Sequence, residues 1–305
     1  MENGPLVFVG IGEILWDLLP GGRQVGGAPA NFAYHAKSLG IDAQVVSCVG
    51  SDELGDEILA HLDHLGLGHE HIAVDREHPT GTVSVQLDAL GKPSYVIHEQ
   101  VAWDYLSLLP QTLGLAARTD AVCYGSLAQR SSASRLAIRD FLAATRPECL
   151  RVFDVNLRQH YYNVDTIAVA LEAADVLKLN DEELPVIARL LSIRGTVEEI
   201  LGALCRRYNL KLIALTEGAR GSLLFSPRMR SRHAGLRTAV VDTVGAGDAF
   251  TAVLAFGLLS GASLDAINEQ ANRVASFVCS RAGATPEMPV EEKPWQHDRP
   301  PSAEW

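Results

Sequence analysis

The chain has 305 residues, 47% of them hydrophobic and 21% charged, with a formal net charge of −11 and a pI near 5.4. That is an ordinary globular composition, long enough for one large α/β domain with an appendage. The acidic balance argues against nucleic acid or anionic membrane as the main partner, and no stretch reaches the ~18 apolar residues of a membrane span.

The five cysteines form no CxxC pair, which reads as reduced residues of a cytoplasmic protein. Residues 6–11 are an apolar run ending at Gly12, the signal of a buried strand. Residues 13–19 continue as extended chain carrying Asp17, and Pro20-Gly21-Gly22 turns it back toward Val25. Gly26-Gly27-Ala28-Pro29-Ala30-Asn31 opens a helix to Leu39, with Pro29 in its first turn and Gly40 at its end. Residues 43–49 read as a buried strand, and Ser51-Asp52 caps a helix over 53–65. The order βαβα predicts a parallel sheet covered by helices.

Residues 80–103 break that pattern. Val83, Val85 and Leu87 alternate with Thr82, Ser84, Gln86 and Asp88, so this strand has one wet face. Gly91-Lys92-Pro93 then turns the chain into a second strand over 94–98. Such a hairpin predicts a lid, formed by about 13–27 and 80–103, of the kind that shields reacting groups from water. Its apolar face could pair with a twin, so a homodimer through the lid is the expected assembly.

The alternation then resumes, with strands expected at 121–124, 152–155, 176–179, 212–216 and 222–225. Helices are expected at 131–144, 166–173, 182–191, 196–208 and 264–280, the fourth opened by a capping box, Thr196-Val197-Glu198-Glu199. The basic cluster Arg228, Arg230, Arg232 and His233 reads as a solvated loop, and the Pro-rich tail 286–305 as a C-terminal strap.

The stretch that carries chemistry is Asp242-Thr243-Val244-Gly245-Ala246-Gly247-Asp248. With a short apolar strand expected at 238–241 before it and an apolar helix over 249–259 after it, it forms a strand–glycine turn–helix unit. Small residues leave the amides of the helix start open to an anion. An acid in that first turn is either an ordinary helix-start residue or a base beside bound phosphate, where Asp248 takes a proton while the amides hold charge. Polar residues recur where other strands should end: Asp17, then Asp154 with Asn156 and Arg158, then Asn180 with Glu183. In open α/β sheets, ligands bind at that end. The sequence contains no P-loop, no complete dinucleotide fingerprint, no HExxH and no G-x-S-x-G elbow.

The chain resembles the ribokinase-like (PfkB) carbohydrate kinases, and within them the bacterial fructokinases, over residues 7–286. Two motifs carry the likeness: Gly26-Gly27-Ala28-Pro29-Ala30-Asn31-Phe32-Ala33, and Asp242 through Asp248. Gly12-Glu13 with Asp17, Asp154-Val155-Asn156-Leu157-Arg158, Asn180-Asp181-Glu182-Glu183 and Thr216-Glu217-Gly218-Ala219-Arg220-Gly221 support it. Val155 stands where proline is usual. The resemblance implies one three-layer α/β/α domain over 1–305, with a mainly parallel central sheet and a small β-sheet lid. It implies Asp248 as catalytic base, with Gly245, Ala246 and Gly247 as the anion hole. Asp17, Gly26, Gly27, Asn31 and Arg158 would bind the sugar. Asn180, Glu183, Thr216, Gly218, Gly221 and Asn272 would serve the ATP side, Glu183 organising Mg2+ through water. Asp242, Val244, Ser280 and Gly283 would hold a K+-like ion.

The expected function is an ATP-dependent kinase of a primary sugar hydroxyl, with fructose to fructose 6-phosphate foremost. The same chemistry on 2-keto-3-deoxygluconate, ribose or a nucleoside is the alternative. A non-catalytic sugar-binding sensor on the same fold would require a lost base or a damaged glycine turn, and both are intact.

Overall fold

A computed structural model of the chain describes residues 5–19, 22–87 and 93–289. Its centre is a nine-stranded sheet in the order β13-β12-β11-β10-β9-β8-β1-β4-β5. From β1 (Val7–Ile11) the chain first moves outward to β4 (Asp42–Gly50) and β5 (Ile72–Asp75). It then returns to the other flank of β1 and proceeds through β8 (Ala121–Tyr124), β9 (Leu150–Asp154), β10 (Val176–Asn180) and β11 (Leu212–Thr216). All of these pair in parallel. β12 (Ser222–Phe225) and β13 (Arg230–His233) close one edge antiparallel. The reversal of direction at β1 and β8 opens a crevice at the carboxyl ends of these strands.

β1 shows why the sheet is sandwiched. Its five residues are all buried, as expected of a parallel strand covered on both faces. Val7, Val9 and Ile11 face one apolar cluster, which also takes side chains of α3 (Pro110–Arg118), α4 (Ser132–Ala144), α5 (Val164–Glu172), α6 (Glu183–Leu190) and α7 (Val197–Tyr208). Phe8 faces the other, with α1 (Ala28–Ser38), α2 (Glu53–His64), α8 (Ala246–Leu259) and α9 (Leu264–Cys279). α8 is apolar almost all round and correspondingly buried between α1 and α9.

A second, four-stranded sheet in the order β3-β2-β6-β7 comprises β2 (Leu15–Leu19), β3 (Gly22–Gly26), β6 (Thr82–Leu87) and β7 (Pro93–Ile97). It combines the two segments that the alternating hairpin pattern singled out. The turn residues Pro20, Gly21, Gly91 and Lys92, and the tail from 290 onward, lie outside the described residues.

Several local expectations need correction. Residues 238–241 are not a strand. Gly235, at φ 80°, turns the chain away from the sheet after β13, and the backbone amides of Val241 and Asp242 instead donate to Cys279 O at 2.9 and 3.2 Å. A short β-branched run therefore lies along the end of α9, with Val240 and Val241 exposed. The Asp242–Asp248 turn thus follows a loop, not a sheet strand. Conversely, Arg228 of the basic cluster lies in a turn as expected, but Arg230 to His233 form edge strand β13, with Ser231 buried between exposed Arg230 and Arg232. Charged residues on an edge strand also deter further pairing. The sequence reading had no element at β5 or α3.

Candidate active site

Gly245 starts α8 in the left-handed region, at φ 78°, and no side chain caps the helix. A Cβ on Gly245 would stand 2.3 Å from Ala284 O, so glycine is needed both for conformation and for space. Ala284 is itself fixed by His35 of α1, whose Nε2 lies 2.9 Å from Ala284 O. Burial depresses His35 to about 4, so the ring is neutral and donates that bond. The loop before α8, the loop after α9 and the helix α1 are therefore one packed unit.

Asp248 lies in the first turn of α8, and Asn31 Nδ2 donates to its Oδ2 at 2.8 Å. Burial, with Asp154 nearby, pushes the Asp248 carboxyl up to about 7 against the opposing pull of Lys178, Asn31 and Arg158. A carboxyl near 7 in a crevice is suited to accept a proton at neutral pH.

Beneath that turn lies an ion pair. Lys178 of β10 places Nζ 3.0 Å from the carboxylate of Asp154 at the end of β9. Thr251 Oγ1, one helical turn beyond Gly247, lies 3.1 Å from Asp154 Oδ2 and 2.9 Å from Gly247 O. Burial alone would lower the Lys178 ammonium, but the carboxylates of Asp154, Glu183 and Asp248 outweigh it and hold the group above its ordinary value. Glu13, just past β1, is a further buried acid, 2% exposed, with Oε2 unpartnered among the described residues. Burial drives it up to about 7, and Arg158 and the Ala28 amide draw it down only in part. Neither Lys178 nor Glu13 was assigned to the site from sequence. The available signal was a lone charged residue inside or beside an otherwise apolar parallel strand, where an ionisable group needs a partner.

The small sheet brings Asp17 to the start of α1. Asp17 Oδ2 would lie 2.4 Å from a Cβ on Gly26, and a Cβ on Gly27 would stand 2.4 Å from Glu13 O. Gly27 is thus required by close backbone approach, while Gly26 leaves room for the Asp17 carboxylate. Burial raises Asp17, while the guanidinium of Arg158 offsets part of the effect. Arg158 is exposed at the rim and also acts on Glu13 and Asp248. Asp17, Gly26, Gly27, Asn31, Arg158 and Asp248 therefore gather at the crevice.

Asn180 and Glu183 support each other. Asn180 Oδ1 accepts from the amides of Glu182 and Glu183 at 3.0 and 2.8 Å. Glu183 accepts from Asn180 N and Leu157 N, both at 2.8 Å. Both oxygens of Glu183 are thus engaged by backbone, which suits a contact to a metal through water better than direct ligation. Among the described residues no group of three or more His, Cys, Asp or Glu side chains could hold a metal. Magnesium here would be carried largely by phosphate oxygens and water.

Gly218 and Gly221 have φ of 57° and 88° and shape the turn after Thr216. Asn272 is placed differently from its sibling candidates: its Nδ2 points into a buried cluster with Ser222 Oγ at 2.7 Å and Asn268 O at 2.8 Å. Asp242 accepts from Val244 N and Gly283 N, each at 3.1 Å, and so clamps together the two loops that carry the candidate cation residues. Ser280 donates to Phe277 O at 2.7 Å.

The model of the pfkB family of carbohydrate kinases matches residues 21–291. A fructokinase of Escherichia coli is 30% identical over 308 residues, spanning 93% of this chain and 96% of that protein. A 5-dehydro-2-deoxygluconokinase of Bacillus cereus is 25% identical over 95% of this chain and 93% of its own length. Among solved structures, an uncharacterised sugar kinase from Pyrococcus horikoshii in complex with ATP superposes with a TM-score of 0.80 at 25% identity. That match covers 96% of this chain and 98% of the other.

Proposed function

The chain belongs to the pfkB family of carbohydrate kinases, and from that membership and the geometry around Asp248 we propose that it phosphorylates fructose from ATP. The observation that carries the reading is the seating of Asp248, bonded to Asn31, in an uncapped glycine-started helix turn. Asp248 takes the proton of the acceptor's primary hydroxyl as that oxygen forms a bond to the γ-phosphorus. The bond from the γ-phosphorus to the bridging oxygen breaks, and ADP leaves with the electron pair. The amides of Gly245, Ala246 and Gly247 and the dipole of α8 stabilise the charge on the transferring group.

Asp17, the Gly26-Gly27 backbone, Asn31 and Arg158 orient the sugar. Thr216, Gly218 and Gly221 belong to the nucleotide side, with Asn272 supporting it from the buried cluster with Ser222 and Asn268. Magnesium, when bound, neutralises phosphate charge there, with Asn180 and Glu183 ordering its water. A K+-like ion would sit among Asp242, Val244, Ser280 and Gly283. The small sheet acts as the lid, a homodimer through it is the proposed assembly, and the cytoplasm is the proposed location. Among the described residues no helix is long and apolar enough to cross a membrane.

A second reading has a specific observation behind it. Arg158 beside Asp17 would also suit an acceptor bearing a carboxylate, such as 2-keto-3-deoxygluconate, and one relative's name points to an acceptor of that general kind.

The test is ATP-dependent phosphorylation of fructose, ribose, glucose, adenosine, 2-keto-3-deoxygluconate and 5-dehydro-2-deoxygluconate, with magnesium and potassium present. Fructose turning over best is the expected result, and preference for an acidic sugar would transfer the assignment to the second reading. Asp248→Asn should fold and bind sugar while losing roughly 10²–10⁴-fold in rate, the scale of a general base. Full activity in that variant would remove Asp248 from its role.

A further inference from the structure

The role assigned to Asp248 and its glycine turn leaves the cation beneath them unexplained. The Lys178 side chain is 10% exposed and that of its partner Asp154 4%. A buried ion pair is a poor stabilising device, because desolvating both charges offsets or exceeds their attraction, and apolar residues of similar size often serve better. The location of this pair is informative. A Cβ on Gly247 would come within 2.9 Å of Lys178 Nζ, so the ammonium runs directly under the turn that is to hold the phosphoryl group. Thr251 ties the same assembly to α8 through both Asp154 and the Gly247 carbonyl.

The surrounding charge makes a cation there useful. Around this spot are Glu13 after β1, Asp154 on β9, Glu183 on α6 and Asp248 on α8, with the thiol of Cys123 on β8 among them. Arg158 answers them from the exposed rim. An anionic phosphoryl group entering a crevice so rich in carboxyl groups meets repulsion that helix amides must overcome.

We propose that Lys178 is a positioning residue for phosphoryl transfer: pinned by Asp154 under Gly247, its ammonium adds fixed positive charge to the anion site at the start of α8. The inference rests on the kinase reading above. Lys178 acts through the helix turn, with no contact to the acceptor. The charge is preorganised, so no reorganisation accompanies its use, and it also draws the proton off Asp248.

Two variants test it, each judged against wild-type turnover. Lys178→Gln should lower kcat by roughly 10²-fold, the scale of losing one preorganised donor, with acceptor KM nearly unchanged. Its base limb in the pH–rate profile should move upward. Wild-type kcat, or a loss of kcat with an unmoved limb, overturns the proposal. Asp154→Asn combined with Lys178→Met removes the buried pair together, so that no charge is stranded if the pair is merely structural. The double variant should melt near the wild-type temperature and still show the low kcat. Recovery of wild-type kcat in it would reduce the pair to a structural clasp. If wild type itself phosphorylates no acceptor, it is the kinase reading that fails.

Discussion

Asn31 and Asp248 stand 217 residues apart in sequence, yet their side chains meet at 2.8 Å where α1 and α8 begin. The amide of Asn31 can donate to Asp248 only as an acceptor, so it favours the ionised form and fixes one oxygen. The other oxygen is left for an acceptor hydroxyl. Asn31→Ala should therefore lower kcat/KM by about 10- to 100-fold, since a hydrogen bond to a charged group contributes roughly 1.5–3 kcal/mol. Because the bond holds Asp248 down, the base limb of the pH profile should also shift upward. Loss of activity without that shift would mean Asn31 serves the sugar alone.

The pH profile of the wild-type protein follows from Asp248 at about 7. A base must be deprotonated, so the rate should fall as pH falls through 7 and level off above 8. A plateau extending down to pH 5 would show that Asp248 is not held up by burial and Asp154 in the working enzyme.

Glu13 provides a stability test separate from activity. Its folded-state value of about 7 stands above the ordinary 4.5, so the unfolded chain releases this proton first. Its stabilising share is complete below 4.5 and is lost as pH rises toward 7, at up to about 1.4 kcal/mol per unit. Glu13→Gln has no such loss. The melting temperature of Glu13→Gln minus that of wild type should rise between pH 5 and 8, whatever its value at pH 5. A flat difference would indicate that Glu13 is ionised throughout.

The β7 edge of the small sheet is tied to the main body by side-chain hydrogen bonds to backbone carbonyls. Tyr161 OH donates to Ile97 O at 3.0 Å, Gln159 Nε2 to Tyr95 O at 2.6 Å, and Arg130 Nη2 to His98 O at 2.6 Å. These carbonyls belong to β7 or follow it directly. Tyr161→Phe should raise acceptor KM several-fold with a smaller change in kcat, as expected when closure is loosened while the chemistry is intact. An unchanged KM would separate this contact from substrate capture.

Much of this architecture was legible because the signals are local. β8, β11 and β12 fall at the boundaries their apolar runs predict, and Thr196 and Glu199 form the capping box their spacing announces. Gathering Asp17, Asn31 and Asp248 in one crevice follows from the rule for strand ends. What escaped was set by tertiary context. Residues 238–241 have strand-like composition but no sheet edge to join, and Arg230 to His233 form a strand in which Ser231 and the largely buried His233 face inward while the two arginines face out. Lys178 interrupts an apolar strand by one residue, and its meaning depends on Asp154 and Gly247, which the sequence places 24 and 69 positions away.

The two glycines of the α8 turn should fail differently. Gly245 has φ 78°, and its added Cβ would meet the backbone of Ala284 at 2.3 Å. Neither strain can be relieved locally, so Gly245→Ala should cost several kcal/mol of stability through left-handed strain and overpacking. It should also displace the loop that Asp242 clamps. At Gly247 the nearest atom is the end of a side chain, Lys178 Nζ at 2.9 Å. Gly247→Ala can be accommodated if the ammonium shifts, at the expense of its bond to Asp154. That variant should therefore melt near wild type yet lose activity, with its base limb displaced upward as in Lys178→Gln. Equal destabilisation of both variants in thermal melts would show that Lys178 is too firmly held to yield. A stable and fully active Gly247→Ala would show that the position of Lys178 under the turn is without consequence.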